Sequence, residues 1–477
     1  MKKVIFFKTL LTITMLSFFT ACGGGSSTEF NVDENIPALI KNSILKNRYT
    51  IKETTRGSYV IKDFSSYIGH TTIEEESKLG YITLSDYGAV GDGVADDTAA
   101  LKEALHESRV QNKPLYIPNG IYKITEIISL ESGDSILGAD KAVIYADNRP
   151  ENAYFIDMKG TSANPIENVT IENIIFYKVA INLYITNNIQ IKNNTFLDII
   201  EDNPKHADYH TALTVGSLSK NITIDGNEFL NTVDNRVVRE ISLYNTQNVI
   251  IKNNHFGIQK HKQFRLITDF NNLKTAIGLI SKNVDTTIEY NRMVGSTYSP
   301  QDGDGYTHKD HAIYFKKYDN VLFKYNIVGG WPTDASGGLK LRNTTGRGEF
   351  SNNELYNIGF ITYIYPTTEP RAFIDQTFKD NTFFVSETLT KSLIFYWGPT
   401  WAQINTDPNG KDAVTEENAM AKDITISGTN IYYNENFNQS SIIHTRFNIC
   451  SSDSCNYTNG AIREGSIGSA TYQSQEF

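Results

Sequence analysis

Between positions 302 and 320 the chain reads DGDGYTHKDHAIYFKKYDN, and SGGLKLRNTTG follows at 336–346. The first stretch gathers Asp302, Asp304, His308, Asp310, His311, Lys316 and Lys317, side chains that carry or move protons and charge. Each stretch also holds an alternating run whose apolar members set a register. If Ile313 and Phe315 face a core, so do Leu339 and Leu341. Tyr314 then lies beside Lys340, and Lys316 beside Arg342, on one outer face at a spacing of about 4.8 Å. The preceding run TAIGLISKN puts Gly278 and Ile280 at the equivalent outward positions, leaving room for a chain-like ligand.

Two stacked cations repel unless an anion joins them, so the pair reads as a site for a carboxylate or sulfate in which one lysine has a depressed pKa and acts as a base. Elimination from a uronic acid polymer requires neutralisation of the carboxylate, a base for the C5 proton and an acid for the departing oxygen. Lys316 and Arg342 cover the base and the proton donor or charge stabiliser, with His308, Asp310 and His311 assisting. Tyr314, Lys340, Lys317, Trp331, Asp302 and Asp304 are expected around the substrate. Exchange of the C5 proton without cleavage is a second reading, with Tyr306 or Tyr314 as the other proton carrier. Hydrolysis is a third, with Asp302, Asp304 and Asp310 as its carboxylates. The bland alternative is a solvated surface, or a protein that binds anionic glycan without turnover. His206 and His210, beside Asp202 and Asp208, satisfy local turns more readily than they bind metal. Aromatic residues such as Tyr363, Tyr396, Trp397 and Trp401 are expected on later coils, some lining a groove for sugar stacking.

Such stacking needs parallel strands in successive coils, and the chain supplies a repeat that builds them. The pattern N-x-x-[I/F]-x-x-N-x-[F/L/M/V] reads NIQIKNNTF (188–196), NITIDGNEF (221–229), NVIIKNNHF (248–256), DTTIEYNRM (285–293), NVLFKYNIV (320–328), RGEFSNNEL (347–355) and DQTFKDNTF (375–383) in complete or near-complete copies. Each copy gives about one short strand followed by a polar turn. Asn194, Asn227, Asn254, Asn291, Asn326, Asn353 and Asn381 are expected to stack as a ladder at the turn, because Asn tolerates left-handed backbone and hydrogen-bonds locally. One copy cannot bury its apolar face alone, whereas stacked copies can. The uneven spacing puts insertions into loops on one side of the stack. The expected fold is all-β, a right-handed parallel β-helix solenoid with an N-terminal capping helix. A propeller or leucine-rich horseshoe fits less well, with no blade signature and no helix in each repeat.

The ends of the chain are of a different kind. Lys2, Lys3 and Lys8, the apolar run TLLTITMLSFFTA, then Cys22 and GGGSS make residues 1–21 a lipoprotein-type signal peptide, with Cys22 the acylated residue. Residues 22–80 are a tether and N-terminal extension, 81–440 the β-helix, and 441–477 a tail in which Cys450 and Cys455 form a loop disulfide in an exported protein. Without residues 1–21 the chain carries 41 basic against 54 acidic residues, and no basic run appears, which argues against nucleic acid as a partner. The expected partners are an acidic polysaccharide and, through the lipid anchor, a membrane; the expected location is the cell envelope, facing the periplasm or the cell surface. No oligomeric state follows.

At 81–125 the chain reads YITLSDYGAVGDGVADDTAALKEALHESRVQNKPLYIPNGIYKIT. Asp96, Asp97 and Thr98 open a helix of about three turns with Ala100, Leu101, Ala104 and Leu105 on its apolar side, placed to cover the open end of the solenoid. Gly88, Gly91 and Gly93 lie between strand and helix, but without G-x-G-x-x-G or G-K-[S/T] they do not make a nucleotide site. The segment resembles the N-terminal part of the pectate-lyase superfamily, specifically the rhamnogalacturonase and epimerase-like β-helix proteins, and the Asn repeats extend the resemblance over most of the chain. That resemblance implies the fold, not the reaction. HAIYFKKYDN and LKLRN resemble the Lys- and Arg-bearing strands of the alginate lyase and chondroitinase B family, which places Lys316 at the base position and Arg342 at the Arg position. Calcium is the cofactor this resemblance brings. Its acidic residue for calcium is matched here by His311, and the His after its Arg by Asn343, so the metal's ligand set is not carried over and remains unknown. The cluster His308, Asp310, His311 also resembles the sites of alginate C5-epimerases. The polygalacturonase signatures are absent.

Overall fold

The computed structural model describes residues 80–146, 154–197, 199, 211–230, 239–257, 275–295, 311–329, 338–342, 344, 346–356, 358–363, 372–385, 395–397, 420–433 and 471–474. Among them every strand pairing is parallel, and the strands form three sheets of 12, 13 and 10 strands in which each strand is bonded to its counterpart one coil away. This is a right-handed parallel β-helix. The expected architecture is the observed one, with one refinement. The nine-residue motif covers more than one strand: Thr186–Lys192 belongs to the 12-stranded sheet and Thr195–Leu197 to the 13-stranded sheet. The 10-stranded sheet falls between motif copies and has no sequence signature of its own.

The core is built from identical positions on successive coils. Ile189, Ile222 and Val249 pair in one column, and Ile191, Ile224 and Ile251 in the next, all fully buried. Phe196, Phe229 and Phe256 stack with ring centroids 4.9 and 4.7 Å apart and planes within 4°. Offset stacking at the rung spacing lets these rings bury their faces against each other.

The Asn ladder is present as expected. In six successive steps from Asn194 to Asn381, each Asn donates its backbone N–H and its side-chain Nδ2 to the Oδ1 of the next, at 2.9–3.1 Å. Nδ2 also donates back to a strand carbonyl, as Asn254 does to Ile224 at 2.9 Å. The left-handed backbone, however, belongs to the preceding residue: Asn193, Gly226, Asn253, Tyr290, Tyr325, Asn352 and Asp380 carry the positive φ. A second, exposed ladder links the first Asn of neighbouring motifs, as Asn248 Nδ2 donates to Asn221 Oδ1 at 2.6 Å.

Helix α1, Thr98–Gln111, has 14 residues, about four turns rather than three. Leu101, Ala104 and Leu105 are buried in the same core as the first coil. Asp96 accepts the N–H of Thr98 at 3.0 Å, whereas Asp97 accepts those of Val90 and Gly91 at 2.7 and 3.2 Å. The glycine loop's amides are thus engaged by the chain's own carboxylate, in keeping with a structural turn. The last strand of the 13-stranded sheet, Thr471–Ser474, pairs with Asn430–Tyr433 and lies within the segment assigned to the tail.

Candidate functional site

The 10-stranded sheet carries the candidate residues. Its strands in chain order are β1 Ile128–Ser129, β2 Ile156–Lys159, β3 Ile181–Tyr184, β4 Thr211–Gly216, β5 Arg239–Tyr244, β6 Ile277–Ser281, β7 Ile313–Lys316, β8 Leu339–Arg342, β9 Phe360–Tyr363 and β10 Phe395–Trp397. Between β7 and β8 the register pairs Ile313 with Leu339, Tyr314 with Lys340, Phe315 with Leu341 and Lys316 with Arg342. The apolar members are fully buried. Alternation therefore forces Tyr314, Lys316 and Arg342 onto the outer face, as read from the sequence.

Tyr314 is held from several sides. Arg342 Nη1 donates to its hydroxyl oxygen at 2.7 Å, Lys340 Nζ sits 5.8 Å from its ring centroid, and the His311 ring stacks on it at 5.6 Å. Lys340 and His311 are themselves buried. Lys340 was expected to meet substrate and His311 to assist the chemistry; both are enclosed and pack against the tyrosine ring. Lys316 is partly exposed, and its pKa is lowered, first by burial and then by Arg342, Lys317 and Arg239. All three charges acting on it are cationic, which disfavours its ammonium form. Lys317 occupies the turn after β7 with φ 49° and contributes to that field.

Gly278 does pair with Tyr314, yet it leaves no empty space. A Cβ there would lie 2.7 Å from Arg239 Cδ and 2.9 Å from Ile280 Cδ1. The missing side chain makes room for Arg239, which lies over β6 toward Lys316. The expected match of Ile280 to the Lys316 position does not appear in the ladder, where β6 and β7 pair only from Ile277 with Ile313 through Leu279 with Phe315. Arg239 was not identified from the sequence, because in REISLY it falls in phase with the buried Ile241 and Leu243, where alternation reads an inward position. The glycine on the next rung was the readable signal.

Six expected site residues thus come together, namely Tyr314, Lys316, Lys317, Lys340, Arg342 and, behind them, His311, and Arg239 is added. His308, Asp310, Asp302, Asp304, Trp331 and Tyr306 lie outside the described residues, as do Cys22, Cys450, Cys455, His206 and His210. Among the described residues no cluster of His, Cys, Asp or Glu is arranged to hold a metal ion.

Residues 81–299 match the family described as rhamnogalacturonase A/epimerase, pectate lyase-like. The matched residues are a little under half of the chain, and over them it is similar to the pectate-lyase-like parallel β-helix proteins. Among curated relatives, a glucan 1,3-beta-glucosidase of Cochliobolus carbonum is 38% identical over 65 residues, 14% of this chain and 8% of that protein. The plasmin and fibronectin-binding protein A of Streptococcus pneumoniae is 24% identical over 275 residues, 46% of this chain and 37% of its own length. The chain therefore spans well under half of either. Among solved structures, a family 28 exopolygalacturonase of Yersinia enterocolitica matches with a TM-score of 0.48 and 13% identity over 74% of this chain and 71% of that one.

Proposed function

We propose that this β-helix protein acts on an acidic polysaccharide laid along the outer face of its 10-stranded sheet, and that the reaction is β-elimination. Lys316 takes the C5 proton, the Tyr314 hydroxyl returns a proton to the departing glycosidic oxygen, and Arg342 with Arg239 neutralises the uronate carboxylate. The observation that carries this reading is Lys316 itself, a lysine partly withdrawn from water among three cations and so biased toward the neutral amine that a base must be. Arg342, bonded to the Tyr314 oxygen at 2.7 Å, stabilises negative charge on the phenol as the proton leaves. Hydrolysis is less well supported. Among the described residues of the outward column Asp157, Asn182, Thr214, Ser242, Gly278, Tyr314, Lys340 there is one carboxylate, five rungs from Tyr314, where a hydrolase needs two in concert; Asp302, Asp304 and Asp310, the carboxylates expected for hydrolysis, lie outside the described residues.

Binding without turnover is the second reading, favoured by the curated relative with the long alignment, which is named for binding plasmin and fibronectin. The assignment to export and lipidation at Cys22 belongs to the same proposal, since a polymer-active protein must meet its polymer outside the cytoplasm. The test is ultraviolet absorbance of the unsaturated uronate during incubation with alginate, polygalacturonate and chondroitin. An absorbance rise that Lys316→Ala abolishes supports elimination. C5 proton exchange without absorbance would replace it by epimerisation, and saturable binding with neither would leave a binder.

A further inference from the structure

A cavity on the described surface lies away from the cationic cluster. It lies on the same outer face toward the N-terminal coils, over β2 to β6, with a volume of about 850 Å³. Tyr154, Tyr184 and Tyr244 line it together with Asp157, Asn182 and Thr214. Asn182 Nδ2 donates to Asp157 Oδ1 at 2.8 Å, and the hydroxyls of Tyr154 and Thr214 are 3.2 Å apart. Register ties this groove to the cationic cluster: Asp157, Asn182, Thr214, Ser242, Gly278 and Tyr314 follow one another in a single outward column.

The two halves of the face differ in chemistry. The cationic half, β5 to β8, presents Arg239, Lys316 and Arg342 with Lys340 beneath. In the cavity half, the charged lining groups are Asp157 and Lys159, which cancel. At about 4.8 Å per rung, β3 lies roughly 19 Å from β7, beyond a Debye length of about 8 Å at physiological ionic strength. Lys316 and Arg342 therefore attract an anion placed there only weakly, and Asp157 with Lys159 adds no net attraction. Tyrosine rings that can pack on the apolar face of a pyranose, beside amide, hydroxyl and carboxylate groups that pair with hydroxyls, instead fit uncharged sugar.

Resting on the reading that a glycan lies along this sheet, we propose that the cavity over β2 to β6 binds the uncharged part of a mixed glycan, in which an acidic unit at β5 to β8 is followed by a run of neutral sugars. The preferred substrate is then a heteropolysaccharide with blocks or branches of neutral units, and a uniform polyuronate fills only the cationic half. A polyuronate extended along the whole face would meet no net positive charge in the cavity lining to neutralise its carboxylates.

The experiment is direct binding to the purified full chain, followed by calorimetry, with three probes of five units: oligogalacturonate, xylopentaose and aldopentaouronic acid, which joins one glucuronate to neutral xylose units. Asn182→Ala combined with Tyr184→Ala probes the cavity, and Lys316→Ala the cationic half. The mixed probe is expected to bind at least 10-fold tighter than either uniform probe and to weaken with both variants, while oligogalacturonate weakens with Lys316→Ala alone. Oligogalacturonate that binds as tightly as the mixed probe, or that weakens equally with the cavity variant, overturns the proposal; so does mixed-probe binding indifferent to the cavity variant. Because the readout is binding, a failure of elimination chemistry leaves these outcomes unaltered and is seen separately in absorbance.

Discussion

Lys316 is useful as a base because its surroundings make the amine easier to deprotonate. Lys316→Arg keeps the positive charge but cannot shed its proton near neutrality, so it is expected to retain polyuronate binding while lowering turnover by about 10²-fold or more, measured as the initial rate of absorbance. The lowered pKa also fixes a pH dependence. Activity requires the neutral amine, so kcat/KM rises with pH through the Lys316 pKa, below that of an ordinary lysine. Arg239→Gln removes one of the charges that lowers it, and the rising limb of the profile should move toward higher pH. Gly278→Ala tests the same placement indirectly. Its Cβ would meet Arg239 Cδ at 2.7 Å, pushing that side chain off β6, so the profile should move the same way with little change in melting temperature. A profile unmoved by both variants would remove Arg239 from the site. The pair Lys316 and Arg342 was legible in the sequence because alternation makes apolar neighbours report on polar ones. Arg239 was not, since alternation in its strand puts it in phase with the buried Ile241 and Leu243.

At the scale of the elements, the turn between the 12- and 13-stranded sheets is held by buried amides that satisfy backbone and side chain at once. Asn254 is fully buried, accepts two bonds from Asn227 and donates to Ile224 and to Asn291. Asn254→Ala leaves the Asn227 N–H and Nδ2 groups and the Ile224 carbonyl without that partner, a cost of about 2–4 kcal/mol. The exposed Asn248 makes a comparable side-chain bond on the outside, and Asn248→Gly, which tolerates its φ of 52°, should cost no more than about 0.5 kcal/mol. Urea midpoints of the two variants against the parent measure the contrast, and equal shifts would deny the buried ladder its role. This ladder was readable because one residue type recurs at one offset. The left-handed position before it was not, because Asn, Gly, Tyr and Asp all fill it, so no single letter marks it. The 10-stranded sheet was hidden for a related reason: its strands share only alternation, and insertions of varying length separate them from the motif.

For the whole molecule, a column of ionisable groups on the 13-stranded sheet makes stability depend on pH. Glu228, His255, Arg292, Ile327 and Glu354 pair in register on successive coils, and the first three charged or titratable members are almost wholly buried. Burial, with the nearby Arg292, lowers the His255 pKa to about 3, so the unfolded chain takes up a proton below about pH 6.5 that the folded chain refuses, and stability falls as pH drops from there toward 3. Glu354 acts in the opposite sense. Burial raises its carboxyl to about 7 against opposing effects of Tyr356 and Arg292. Between its unfolded value of 4.5 and 7 the folded chain holds a proton the unfolded chain releases, so its contribution declines as pH rises through that window and stays low above it. Glu354→Gln keeps an oxygen to accept the Tyr356 hydroxyl, bonded in the parent at 3.2 Å, and removes the titration. The variant should therefore gain on the parent progressively from pH 4.5 to 7, by up to ~3 kcal/mol, read as a difference in melting temperature that widens with pH. A difference constant across that range would mean that Glu354 is ionised in the folded coil, with Arg292 holding its charge.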